Sequence, residues 1–400
     1  MSFGIDRRAR ARKARGGLRG LLAGRGPDAA ALGARLGRIA KRMFGAAVAT
    51  SADRRITVRF LARTPTVAIE VLEDGDLHVR GVTAQTGPGY HAHVLARLAP
   101  MLAELDLEWS EPGGLALATI QDDMAEWVAD ELRAGARVFG IPRARVFVTG
   151  AAVNTPLGPR DATWRDAVLA DPSRVADAFP WWDERPGSAA RARALLALWH
   201  EVPWRAPIDD DERARLATVD ADLRAALAAD PAIELPWPEW VAVHGWLDDA
   251  EPLPDDVELR AGAEAPTAGY RQFPLEVEIA GGWLLELPGA FVTHVEEDTD
   301  RWWATDGDRV IEATTFTAPE GSPRAADPEA LLAIAPELHP VVARIAEGPR
   351  RGRAESHAVD AIYVTVGLVA QAPHVAILTA KAHEPAIEWA LAIWRSLRRP

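Results

Sequence analysis

The chain reads as an α+β protein: two α/β units with mainly antiparallel sheets, separated by a Trp-rich helical region. Three observations carry this. β-Branched and apolar residues alternate in two separate blocks, about 56–82 and 275–380, rather than along the whole chain. Each block holds an Asp-Gly-Asp turn, Asp74-Gly75-Asp76 and Asp306-Gly307-Asp308, and Asp-Gly between alternating runs marks a hairpin and so antiparallel strands. Between the blocks the alternation disappears, prolines interrupt short helical stretches, and eight of the 15 tryptophans gather in 155–250. The expected organisation is a basic, flexible arm over 1–50, an α+β domain over 51–150, a helical Trp/Pro-rich region with linker over 151–262, and an α+β domain over 263–400.

In chain order, residues 1–55 carry 14 Lys or Arg against Asp6, Asp28 and Asp53, a balance of +11. With -13 for the whole chain, the remainder holds -24. The arm is therefore expected to be solvated, although Leu32, Leu36, Ile39, Met43 and Phe44 have the spacing of a surface or docking helix. Strands are expected over 56–61, 67–72 and 77–82, with a tight turn at Asp74-Gly75 whose two central residues both take positive φ. Gly87-Pro88-Gly89 then opens a helix over 90–105. A short apolar segment at 115–120 leads to Asp122 and Asp123, which sit where a further helix would start, at the positive end of its dipole. One more strand is expected over 145–149.

In the middle region the tryptophans read as packing anchors, and Asp209-Asp210-Asp211 caps an amphipathic helix through Leu216, Val219, Leu223 and Leu227. Residues 248–268 have linker composition. Beyond them, strands are expected over 275–279, 283–287, 302–305 and 310–314, a helix over 328–346, strands over 361–369 and 374–380, and a closing helix with Ile387, Trp389, Ile393, Trp394 and Leu397. The shared Asp-Gly-Asp plan leaves two readings open, an internal duplication of 67–109 in 301–350 or two ordinary α+β domains.

Composition excludes several chemistries. With no cysteine there are no disulfides, thiolate nucleophiles, cysteine-zinc sites or iron–sulfur clusters. Apolar runs fall short of the roughly 20 residues needed to span a bilayer, and no secretory apolar core follows the start, so a cytoplasmic location is expected. Neither His200-Glu201 nor His383-Glu384 extends to H-E-x-x-H, and there is no P-loop and no G-x-S-x-G.

The one stretch that gathers site-like residues is Gly87, Gly89, Tyr90, His91 and His93, with Asp122 and Asp123 further on. It fits G-x-G-x-x-A after a strand, with Glu108 at the distance of a ribose-binding acid. Yet the preceding strand alternates Asp76, His78 and Arg80 with Leu77, Val79 and Val82. That pattern suits a strand wetted on one face, whereas a dinucleotide fold opens on a doubly buried one. His91 and His93 would share a face on a strand but diverge by about 200° on a helix. No metal and no cofactor is therefore expected.

Gly282-Trp283 entering a strand, the hairpin before Ile311 and the ending Trp394-Arg395-Ser396-Leu397 give residues 270–400 an element order that resembles the PsbP/Mog1-like αβα sandwiches. The resemblance implies a binding or accessory role without a shared catalytic residue. The leading expectation is thus a binding or interaction protein (accessory, adaptor or immunity-type) with a protein partner. One alternative is a hydrolase or small-ligand enzyme using His91 or His93 with Asp122 or Asp123 at the glycine loop. Another is that residues 1–50 dock on an anionic membrane or nucleic acid.

Overall fold

The computed structural model of the chain describes residues 3–11, 29–52, 54–111, 116–137, 146–247, 251–263, 269–296, 301–323, 325–385 and 387–400. The fold is α+β with antiparallel sheets. Contacts divide it into two units, one of Met1–Pro142, Ala152–Glu201 and Ala214–Ala268, the other of Arg143–Ala151, Val202–Arg213 and Gly269–Pro400.

In the first unit, β1 (Gly4–Ala11), α1 (Ala29–Phe44), β2 (Val48–Ala52), β3 (Arg55–Val58), β4 (Val67–Val71), β5 (Leu77–Val82), α2 (Pro88–Glu104), β6 (Leu107–Trp109) and α3 (Leu117–Arg133) follow one another. The strands form one antiparallel sheet in the order β2-β3-β4-β5-β1-β6. Its inward residues Ile5, Ala9, Ile56, Val58, Ile69, Leu77 and Val79 make one core with Leu32, Leu36 and Ile39 of α1 and Leu98, Met101 and Leu102 of α2.

The flexible arm expected over 1–50 is corrected here. Residues 4–11 are an inner strand, because Ile5 and Ala9 alternate inward while the arginines between them stay on the wetted side or at intermediate depth. Residues 29–44 are a helix that buries Leu32, Leu36 and Ile39, and 12–28 lie outside the described residues. The β4–β5 hairpin forms as expected, but its loop runs over five residues and is no tight I′ turn. Gly75 has φ +83 and Asp74 is not among the residues of positive φ, its carboxylate instead receiving the Asp76 amide at 3.0 Å. Helix α3 starts at Leu117, so Asp122 and Asp123 lie more than a turn inside it and are exposed.

The unit continues with a two-stranded hairpin of Val153–Thr155 and Gly158–Arg160, then α4 (Ala162–Ala170), α5 (Ser188–His200), α6 (Asp210–Ala229), which belongs to it from Ala214 onward, and α7 (Trp237–Gly245). Trp181, Trp199, Trp237 and Trp240 are buried, as packing anchors should be. Trp240 Nε1 donates to Asp220 Oδ1 at 2.7 Å, which satisfies the polar end of a ring that is otherwise enclosed. The stretch read as linker contributes a short helix at Val257–Ala261, while 248–250 and 264–268 lie outside the described residues.

The second unit contains β7 (Val146–Val148), β8 (Leu275–Ile279), β9 (Trp283–Leu287), β10 (Val292–Glu296), β11 (Arg301–Thr305), β12 (Arg309–Thr317), α8 (Pro328–Leu332), β13 (Val341–Glu347), β14 (Arg350–Val359), β15 (Ile362–Gln371), β16 (His374–Ala382) and α9 (Glu388–Ser396). A small sheet, β9-β8-β7, accompanies a seven-stranded one, β10-β11-β12-β16-β15-β14-β13. The strand expected near 145–149 therefore belongs to this unit, since Val146–Val148 pairs with Leu275–Val277. Trp283, Leu285, Trp302, Ile311, Leu378, Trp394 and Leu397 form the core.

The helix expected over 328–346 is replaced by five residues of helix and a strand. Pro336 and Pro340 remove the amides a helix would need, and Val341-Val342 suit a pleated strand. Strands β10 and β14 were not expected either. The element order that carries the PsbP/Mog1-like resemblance therefore gains three strands. No helix among the described residues is long and apolar enough to cross a membrane.

Candidate functional site

The glycine loop joins β5 to α2 and is buried from Thr83 to Ala92. A loop this deep must satisfy its own backbone, and it does so in two directions. The Thr83 and Ala84 amides donate to Phe3 O at 3.1 and 3.2 Å, and Thr83 O accepts from the Thr86 and Gly87 amides, both at 3.0 Å. The Trp181 amide then donates to Thr86 O at 2.8 Å, and Gly89 N donates to Trp181 O at 3.1 Å. Gly87 takes φ +112, and a Cβ there would sit 3.0 Å from Phe179 Cβ. A Cβ on Gly89 would lie 2.6 Å from Trp181 Nε1 and 2.8 Å from Asp183 O. The two glycines thus seat the segment around Trp181. The amides that would cradle a phosphate in a dinucleotide loop are occupied by protein carbonyls.

The side chains follow from that packing. Tyr90 is fully buried, its hydroxyl 2.9 Å from Thr64 Oγ1, and burial raises its pKa against the opposing effects of Thr64 and Arg59. His91 is 4% exposed, with Nδ1 3.2 Å from Thr83 Oγ1. Burial, helped by the Arg7 charge, pushes its pKa down to about 4, so the imidazole is neutral. His93 lies half-buried with its ring centroid 5.0 Å from that of Trp181, and burial followed by Arg97 lowers its pKa.

His91 and His93 therefore serve different neighbours, as helical geometry requires. Asp122 and Asp123 are exposed on α3, while the hydrogen bonds of Tyr90 and His91 go to threonines. Four enclosed polar atoms here have no hydrogen-bond partner: Gln85 Oε1, Thr86 Oγ1, His91 Nε2 and Trp181 Nε1. Such atoms mark positions for bound water or a polar ligand.

The Asp209–Asp211 run caps its helix as expected. Asp209 Oδ1 accepts the Glu212 amide at 2.7 Å at the start of α6. Among the described residues no group of three or more His, Asp or Glu side chains is placed to hold a metal ion.

Sequence reasoning missed two features of the second unit. The first is a cavity of about 550 Å³ lined by Asp306, Asp308, Arg309, His383, Glu384 and Trp389. Arg309 is held there by Asp306, Nε to Oδ2 at 2.7 Å, and lies over the rings of Phe291 and Trp389 at 5.2 and 5.1 Å.

The second is a platform beside β13, the last strand of the large sheet. Arg353 and Glu355 of β14 form a buried pair at 3.0 Å. Arg353 donates to Leu332 O at 3.0 Å and to Ala335 O, while Glu355 Oε2 accepts the Leu338 and His339 amides, both at 2.9 Å. Burial alone would raise the Glu355 pKa, but those two amides and Arg353 outweigh it and hold the carboxyl below its ordinary range. So pinned, the segment from 333 to 340 presents Ile334 (58% exposed) and Leu338 (74%); Val342 of β13 (42%) and Val359 of β14 (50%) are exposed too. The signal was there in Pro336 and Pro340, which deny this segment a helix.

Comparison of the chain with protein-family models and with curated proteins gives no match.

Proposed function

We propose that this chain is a binding protein that recognises a protein partner through the platform beside β13. One observation carries the reading. Two large apolar side chains, Ile334 and Leu338, stand out into solvent on a segment that two buried charges fix in place, and Val342 of β13 and Val359 of β14 are exposed as well. Apolar surface held rigidly outward gains free energy when something covers it, and exposed apolar side chains on a rigid support favour association. Glu337 and Arg344, paired at 3.1 Å, border the patch and supply the polar rim such interfaces have. The bulge between Val341 and Ala343 and the Arg344 charge disfavour plain strand-to-strand extension. Docking therefore runs through side chains, with an apolar anchor of the partner seated on Leu338. An accessory role is also what the PsbP/Mog1-like resemblance of residues 270–400 implies.

A photo-crosslinking amino acid at Leu338, introduced in the native host, tests this. It should couple to a discrete protein, and that protein, purified, should bind the Leu338→Asp variant at least about tenfold more weakly than the wild type. Equal affinity for wild type and variant overturns the proposal, and so does crosslinking only within the chain itself.

A further inference from the structure

Helix α1 has two unlike sides. Leu32, Leu36, Ile39 and Ala40 are in the core, and the outer side consists of Ala30, Ala31, Ala34, Arg35, Arg38, Lys41 and Arg42, with no acidic residue anywhere in the helix. At its C-terminal end Phe44 meets Phe60 edge-on, ring centroids 5.2 Å apart, and both rings are half-buried. Arg97 of α2 lies over Phe44 at 5.8 Å, and Arg59, whose amide donates to Ala47 O at 3.0 Å, follows directly before Phe60. Glu104 answers Arg42, and Asp106 lies 3.9 Å from Arg35. Arg38, Lys41, Arg59 and Arg97 form no ion pair among the described residues.

Exposed cations without an ion pair among the described residues, one of them over a partly open aromatic pair, suit one class of ligand. Phosphates are recognised by such cations, and the bases between them stack on aromatic rings. A membrane fits less well, because a helix that lies in a bilayer interface needs its apolar side free, and here that side is in the core. We propose that the outer face of α1, with Arg59, Arg97 and the Phe44–Phe60 pair, binds single-stranded nucleic acid. The -24 carried by residues 56–400, Arg59 and Arg97 included, repels the same ligand. Binding is therefore short-ranged and steeply dependent on salt.

Four phosphate contacts at about 0.7 each give a salt slope near -2.8, or roughly a 50-fold loss of affinity between about 50 and 200 mM salt. The test is fluorescence anisotropy of the full chain with a labelled oligothymidylate of about 20 nucleotides. The wild type should show that slope. Arg38→Glu combined with Lys41→Glu should weaken binding at least tenfold and bring the slope to about -1.4. Phe44→Leu should weaken binding with the slope unchanged, and Arg133→Glu, on α3, should change neither. Should the double reversal lose its fold by circular dichroism, Arg38→Gln with Lys41→Gln reads the same slope. Absence of binding at low salt, equal binding by the double variant, or tighter binding to phosphatidylserine vesicles or to duplex DNA each overturns the proposal. None of these outcomes touches Leu338, so this surface and the platform fail separately.

Discussion

His91 offers the sharpest quantitative prediction. Its imidazole is 4% exposed and its pKa is pushed down to about 4, against about 6.5 in an unfolded chain. Between those values the unfolded state takes up a proton that the folded state refuses, so acidification favours unfolding. The folded chain is free of this penalty above about pH 6.5, and loses about 1.36 kcal/mol per pH unit below it, until the folded pKa is reached. At about pH 4.5 the loss is roughly 2.5 kcal/mol. The perturbation is His91→Gln, which removes the titration and keeps a polar atom near Thr83. Urea titrations followed by tryptophan fluorescence, run from about pH 7.5 to pH 4.5, should give stability curves that converge as pH falls, with the wild type losing the extra roughly 2.5 kcal/mol. His200, whose pKa burial and then Arg63 also push down to about 4, acts in both proteins and cancels. Parallel curves, or an NMR titration of His91 near pH 6.5, would refute the reasoning.

Gly89→Ala should destabilise the first unit by about 1–3 kcal/mol, read as a lower urea midpoint, because its Cβ would meet Asp183 O at 2.8 Å. Gly37→Ala, in α1 with nothing within 4 Å of the added Cβ, should raise that midpoint by about 0.5–1 kcal/mol. Glu355→Gln leaves Arg353 buried without its counter-charge and should cost about 3–5 kcal/mol in the second unit, whereas exchanging both for apolar residues should cost far less. In the wild type the Glu355 contribution is present above about pH 4.5 and is lost as pH falls through the lowered folded pKa, which a urea series toward low pH will show.

What the sequence makes legible is what neighbouring residues decide among themselves. The Asp74-Gly75 and Asp306-Gly307 hairpins formed because a glycine supplies positive φ locally, +83 and +102. Helix α2 formed because Val94, Leu95, Leu98, Met101 and Leu102 share one face. Elements held by distant partners stayed hidden. Only two inward residues mark β1, and its pairing partners lie some 70 and 100 positions away, Asp6 opposite Arg80 and Ala9 opposite Trp109. The charges of β14 argue for solvent until Arg353 and Glu355 are seen to face each other inside. The site divides the same way. Tyr90 and His91 stood out beside their glycines, but nothing near them in sequence announces Trp181, and Asp122 and Asp123 were misplaced by a helix boundary a turn too late.

The position of β1 between β5 and β6 also sets a clock for synthesis. A ribosome adds about 5–20 residues per second, so β1 waits roughly 4–15 s for β5 and somewhat longer for β6. Through that interval the strand has no sheet to join, and Arg7, Arg8 and Arg10 keep it soluble and mutually repelled from other basic nascent chains. The charges that look out of place in a strand paired on both sides are suited to a segment that must remain unpaired until its partners exist.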